Sequence, residues 1–246
     1  MLILMFGISL IAAFIFALGG VGAAIILIPV MVWAGIPITT AKPVGLFYNT
    51  VSLSGASISN IKNHLLDFKI GIPVIIFSFL FAAVGAYISK FVSSRIILLI
   101  FIAFLVFSGL MFLFFKNQAA EKYREDRPWF KLSMIGVIAG FLSGLLGIGG
   151  GGIISPLMLL LGFNPKKIAA ITAFVVPFSA FSGFVTYWMM GEINWTLLVV
   201  VSAGGIIGAT LGTIFMQKKL NPKMVKKILA VILLVMAAKM IFVMMK

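Results

Sequence analysis

The chain has 246 residues, is 63% hydrophobic and only 10% charged, and carries 19 Lys+Arg against 5 Asp+Glu, a formal net charge of +14. An ordinary soluble domain is about 45–50% apolar and about 25% charged, so this composition excludes a soluble globular enzyme, a disordered chain and a peripheral surface domain; lipid is the solvent for most of the surface. Cysteine is absent and histidine occurs once, at His64, which excludes disulfides, thiolate or clustered-histidine metal sites and a cysteine nucleophile.

A helix needs about 20 apolar residues to cross the hydrocarbon core. Such runs occur in eight segments, roughly 2–34, 43–61, 70–89, 96–115, 132–163, 168–190, 194–216 and 224–245. The first begins Met1-Leu2-Ile3-Leu4, without a basic n-region or a small-residue cleavage site, and reads as mature protein rather than a signal peptide. It is also too long for one crossing, because about 33 helical residues reach roughly 50 Å against a core of about 30 Å. Gly19-Gly20-Val21-Gly22 lies near its middle. The second to fourth segments have ordinary single-span length. A polar stretch from Lys116 to Lys131 then divides the chain into 1–115 and 132–246. The fifth segment repeats the anomaly of the first, with Gly147-Ile148-Gly149-Gly150-Gly151-Gly152 near its middle. Glycine weakens a helix interior and permits close backbone approach, so each long segment is expected to be a helix, a break and a second, shorter helix. Three ordinary spans follow. The fold class is therefore an all-α polytopic membrane protein, each half holding one glycine-broken helical hairpin plus three transmembrane helices.

The halves match at a constant offset. Gly20 to Pro29 aligns without gaps on Gly147 to Pro156, and Gly35 falls on Gly162, Ser52 on Ser179, Asp67 on Asn194 and Gly85 on Gly212. Internal repeats with interrupted helices at corresponding positions point to a transporter site. If each broken segment crosses once, the repeats are parallel and the basic residues divide almost evenly between the two sides. If each turns back, one side collects Lys62, Lys69, the 116–131 loop, Lys166, Lys167 and the cluster Lys218 to Lys227, and the other keeps Lys42, Lys90, Arg95, Lys239 and Lys246. The second division obeys the positive-inside bias and favours inverted repeats with both termini outside.

The run Gly140-Phe141-Leu142-Ser143-Gly144-Leu145-Leu146-Gly147-Ile148-Gly149-Gly150-Gly151-Gly152-Ile153-Ile154-Ser155-Pro156-Leu157 resembles the signature of the sulfite exporter TauE/SafE family. Gly162-Phe163-Asn164-Pro165 and Ala169 to Phe174 resemble that family's next block. In the first half Gly22-Ala23-Ala24 stands where the family has three glycines. The resemblance covers essentially the whole chain. It implies a multi-pass permease of a prokaryotic inner membrane for small anions, often sulfur oxyanions or organosulfonates such as sulfite, thiosulfate and sulfonates.

An anion inside a membrane needs donors and positive potential without bulk water. The first amides of a helix supply both. Gly149, Gly150, Gly151 and Gly152, opening the second half-helix of the fifth segment, are the first candidates, with Gly20, Gly22 and Ala23 as their partners; tight helix crossing is the competing use of such glycines. Pro29 and Pro156 are expected to bend the half-helices. The second and sixth spans are unusually polar. Asn49, Ser52, Ser59 and Asn60 fall near one helical face, as do Thr172, Ser179, Ser182 and Thr186. Asn49, Ser52, Thr172 and Ser179 suit an oxyanion, or else serve as interhelical glue. Lys42, before Pro43, either draws an anion toward the first break or snorkels to the interface. His64 could couple protons, or form a solvated loop pair with Asp67. Glu192 reads as surface. No span carries an acid, so an acidic proton relay is not supported; H+ or Na+ coupling by other groups stays open. Trp33, Trp129, Trp188, Trp195, Tyr123 and Tyr187 mark span ends.

The leading expectation is a secondary anion transporter in which one repeat moves against the other, with membrane lipids around it, no cofactor, no metal and no nucleic acid. A passive anion channel is the alternative. An enzyme is not expected, because no nucleophile, acid–base pair or metal cluster is at hand.

Overall fold

The structure is a computed structural model that describes residues 1–16, 21–62, 66–114, 124, 126–191, 193–219 and 222–245. Gly20, His64 and Glu192, named above, lie outside the described residues, as does the side chain of Ser59. Ten helices are present among the described residues: α1 (Leu2–Phe16), α2 (Ala24–Trp33), α3 (Ile38–Lys62), α4 (Phe68–Ile88), α5 (Ser94–Phe114), α6 (Trp129–Leu146), α7 (Gly151–Leu160), α8 (Pro165–Met189), α9 (Trp195–Lys219) and α10 (Pro222–Met245). Five stretches, Phe68–Ile88, Ser94–Phe114, Trp129–Leu146, Lys167–Met189 and Trp195–Gly212, are long and apolar enough to cross a membrane.

The first and fifth apolar segments both break, giving α1 with α2 and α6 with α7. At the end of α6 the chain reverses sense at Gly147, whose φ of +84° is left-handed and whose N–H donates to the Ser143 carbonyl at 2.8 Å; that is the glycine cap of a helix C-terminus. The third helix starts earlier than the apolar run suggests. The amides of Thr40 and Ala41 both donate to the Pro37 carbonyl, so Pro37 opens the helix. Pro43 stands close enough to the start to cost only one backbone bond. Lys42 is consequently inside α3 rather than ahead of it.

The packing repeats when the halves are exchanged. Helix α1 lies on α9 as α6 lies on α4, α3 meets α9 as α8 meets α4, and α3 pairs with α8 and α5 with α10. Glycines set the closest crossings. Gly136, Gly140 and Gly144, four residues apart on one face of α6, lie against Val74, Ser78 and Ala82 of α4. A Cβ at any of them would run into a carbonyl oxygen of α4, which is why small residues occupy this seam. The contact order shows that α4 and α6 run in the same direction. Helices α3 and α8 run oppositely: Leu46 meets Gly183, whereas the Ser57 hydroxyl donates to the Ala173 carbonyl at 2.6 Å.

One face gathers the connections. Asp67 lies 3.5 Å from both Arg127 and Lys167, and the Arg124 N–H donates to the Gly162 carbonyl at 3.0 Å. The described residues of the α3–α4, α5–α6 and α7–α8 links therefore share that face. The α6–α7 unit enters and leaves on it as a hairpin. At 10 residues, α7 is about 15 Å long, half the thickness of the hydrocarbon core, so its first residue lies deep in the bundle. Apolar side chains such as Ile72, Ile76, Phe79 and Leu80 of α4 and Phe107 and Leu110 of α5 remain exposed and form the surface that lipid covers.

Candidate functional site

The two breaks meet. A Cβ on Gly151 would overlap the carbonyl oxygen of Val21, so main chain touches main chain between α2 and α7. Asn49, at the middle of α3 and fully buried, stands between them. Its Oδ1 accepts from the Ala24 N–H at 3.1 Å, and its Nδ2 donates to the Ile148 carbonyl at 2.7 Å. The orientation of the amide follows from its partners, because an N–H only donates and a carbonyl only accepts. Gly22 and Gly149, with φ of +83° and +76°, close on this carboxamide from opposite breaks. Their absent side chains make the approach possible. Ser179 lies on the facing helix α8, and its hydroxyl donates to the Gly149 carbonyl at 3.2 Å or the Val176 carbonyl at 3.1 Å.

The start of α7 is open on its donor side. Gly150 is the N-cap with φ +77°, and no side chain caps the helix. The Ile153 and Ile154 amides both return to the Gly150 carbonyl, while among the described residues the amides of Gly151 and Gly152 donate to no acceptor. Beside this turn stands Ser143, fully buried, its hydroxyl without a partner among the described residues. Its Cβ is 3.4 Å from where a Cβ of Gly150 would be.

Polar groups continue toward both faces. Toward the charged face, the hydroxyls of Ser155 and Thr172 are 3.2 Å apart. Toward the other face, Lys42 is 1% exposed, with its Nζ 5.1 Å from the centre of the Tyr187 ring. The Tyr187 hydroxyl donates to the Gly144 carbonyl at 3.0 Å and lies 2.7 Å from the Ser89 hydroxyl. Gly147, just past the end of α6, packs on the Lys42 main chain. The lysine thus stands by the negative end of a helix dipole and an aromatic face, both favourable to a cation. It does not snorkel. Tyr187, two residues before the end of α8 as expected of a span-end aromatic, is likewise buried.

Of the polar residues read from the sequence, Asn49, Ser179, Thr172 and Lys42 line this column with Gly22, Ala23 and Gly149 to Gly152. Ser52, 5% exposed, borders a void of about 10 Å³ with Gly22, Ala23 and Phe16, room for about one water. Ser182 belongs elsewhere, donating to the Phe79 carbonyl of α4 at 2.6 Å, and Thr186 bonds back to its own helix. The expected space for a guest between the breaks is closed in this conformation. A larger opening of about 340 Å³ lies between α5, α6 and α7, but its walls are apolar, Phe104, Ile153 and Leu157 among them. Ser143, Ser155 and Ser89 were not singled out from sequence; the step of four from Ser143 to Gly147 is the one signal that could have found the first.

Among the described residues no group of His, Asp and Glu could hold a metal ion. Outside the bundle, the Arg124 guanidinium bonds to the Asp126 carboxylate, with Nη2 to Oδ2 at 2.7 Å. That hydrogen bond holds the Asp126 carboxyl below the ordinary carboxylate value.

A bundle of apolar spanning helices with broken hairpins closing on a polar centre defines a multi-pass membrane protein. The model of the family described as sulfite exporter TauE/SafE matches residues 5–240, and the chain belongs to that family. It is 26% identical over 260 residues to the probable membrane transporter protein YunE of Bacillus subtilis, covering 95% of each chain. It is 28% identical over 249 residues to a probable membrane transporter protein of Methanocaldococcus jannaschii, covering 92% of this chain and 90% of that one. A sulfite exporter TauE/SafE family protein 6 of Arabidopsis thaliana is 44% identical over 102 residues, 42% of this chain and 24% of the plant protein. No solved structure matches.

Proposed function

We propose that the chain is a secondary transporter of small anions, of the sulfite, thiosulfate or sulfonate type, in which two inverted repeats, 1–115 and 132–246, move against each other about the meeting of their breaks. The connecting loop is 116–131. The observation that carries this reading is the centre itself: two broken hairpins touching at Asn49, with the unshared amides of Gly151 and Gly152 beside a buried hydroxyl. Such donors favour an oxyanion where water is excluded. The opposite run of the matched helices α3 and α8 supports inversion. The gathering of Arg124, Arg127 and Lys167 on one face supports placing that face in the cytoplasm of a prokaryotic cell. Thr172 and Ser155 on that side and Lys42 on the other would receive the anion in turn, with Ser52 and Ser179 flanking the centre. H+ or Na+ is the coupling ion to be tested.

A closed centre favours a carrier over an open pore. Counterflow decides between them. Proteoliposomes loaded with unlabelled sulfite are expected to accumulate radiolabelled sulfite transiently above equilibrium, with saturable rates. Currents in planar bilayers faster than carrier turnover, without counterflow, would replace the carrier by a channel; neither flux nor current with sulfite, thiosulfate, sulfate or taurine would remove the anion reading.

A further inference from the structure

We infer that the centre holds a single anion, bound by the second break alone, and that the Asn49 carboxamide is the permanent occupant of the equivalent place in the first. The inference rests on the anion-transport reading above.

At the start of α2 the Ala24 N–H is already taken by Asn49 Oδ1 at 3.1 Å. A partly negative oxygen on a helix N-terminus is what a bound oxyanion would supply, so the chain carries its own substitute there. At the matched position of the second repeat, Val176 packs against Gly149 as Asn49 packs against Gly22. The valine side chain has no acceptor, so among the described residues the Gly151 and Gly152 amides of α7 both lack one, whereas in α2 only that of Ile25 does. The walls differ in the same sense. Ser143, with its unpartnered hydroxyl, stands where the first half has buried, apolar Phe16. Asn49 itself is polarised across the pair, turning its oxygen to the first break and its Nδ2, a donor, to the second. Three kinds of donor therefore lie beside the second break: the Gly151 and Gly152 amides, the Ser143 hydroxyl and the Asn49 amide. At the first break the Ala24 amide is already capped by Asn49, and the adjoining void is large enough for about one water.

Equilibrium binding of radiolabelled sulfite to the purified full chain tests this, with Val176→Asn and Ser143→Ala as variants. The native protein is expected to saturate at one sulfite per chain. Val176→Asn gives α7 the cap that α2 already has and should weaken binding about a hundredfold or more. Ser143→Ala deletes one oxygen and should weaken it about tenfold with the melting temperature held or raised, since it also removes an unsatisfied buried hydroxyl. If Val176→Asn fails to fold, Ser143→Ala decides alone. Saturation at two sulfites per chain, or native affinity in every variant that folds, overturns the inference while leaving anion transport standing. A native protein that binds no sulfite, thiosulfate, sulfate or taurine overturns both.

Discussion

Ala23, before α2, takes a right-handed conformation with φ −88° and ψ −2°, whereas Gly150, at the same place before α7, is left-handed with φ +77°. The first break thus follows an alanine-compatible path into its half-helix and delivers the Ala24 N–H to Asn49. The second uses consecutive left-handed glycines at 149 and 150, a path that alanine enters only at a cost of about 1–2 kcal/mol per residue, and leaves its amides facing a buried serine. Around these elbows the two halves pack alike. The comparison teaches that the helix contacts match between the halves while the centre does not: the Ala24 amide of one break bonds to Asn49, and the Gly151 amide of the other donates to no acceptor among the described residues.

The strongest way to break the comparison is to make the elbows sterically equal. Gly151 matches Ala24, which already carries a Cβ. Gly151→Ala would press its methyl into the Val21 carbonyl, an obstacle of main chain rather than a movable side chain. Overpacking of that kind costs about 3 kcal/mol or more, and transport is expected to vanish with it. The reverse change, Ala24→Gly, costs only about 0.5–1 kcal/mol in helix propensity. Melting temperatures of the two variants in detergent measure the difference; equal losses would mean that the two breaks do not press on each other.

Next in size is Asn49→Val, which gives both repeats the same residue. It leaves the Ala24 N–H and the Ile148 carbonyl buried and unpaired, at about 1–3 kcal/mol for each group, offset in part by the apolar burial of the new side chain. A net loss of about 2–3 kcal/mol is expected in denaturant unfolding, with hydrogen exchange rising at the starts of both α2 and α7. Exchange rising at one break alone would show that Asn49 serves that hairpin and does not couple the two.

How much of this was legible beforehand follows from what lipid does to pattern. The breaks could be read because glycine clusters in over-long apolar segments carry their own signal. Asn49, Ser179 and Thr172 stood out because a polar residue in an apolar run is rare. In a membrane, however, both the buried and the lipid-facing sides of a helix are apolar, so periodicity does not say which face turns inward. The burial of Tyr187, near the end of α8, was therefore not legible, and Lys42, judged by its place before Pro43, looked like a residue at the start of a span. The bonds of Asn49 reach 25 and 99 residues along the chain. The second is made possible by the reversal at Gly147, and spacing alone does not register it. Ser143 comes beside Gly150 for the same reason.

The smallest expected effect distinguishes the bases of the two hairpins. The second is tied by the Arg124 N–H to the Gly162 carbonyl, with the Arg124 side chain held by Asp126. Near the end of α2, Lys239 Nζ lies 4.0 Å from the centre of the Trp33 ring, a contact with no acid in it. Because the Asp126 carboxyl is held below its ordinary value by the hydrogen bond from Arg124, its stabilising contribution is complete above the ordinary carboxylate range. It is lost as pH falls through the lowered value. With the intrinsic slowing of amide exchange in acid divided out, acidification from about pH 7 to below about pH 4 should therefore slightly lower the protection factors around Arg124 and Gly162 and leave that of Trp33 unchanged, less so in high salt, since the pair is exposed and screened. Asp126→Asn should produce the same small change at neutral pH and abolish its pH dependence. If exchange at Gly162 ignores both acid and the substitution, the main-chain bond from Arg124 holds the second hairpin without help from its side chain.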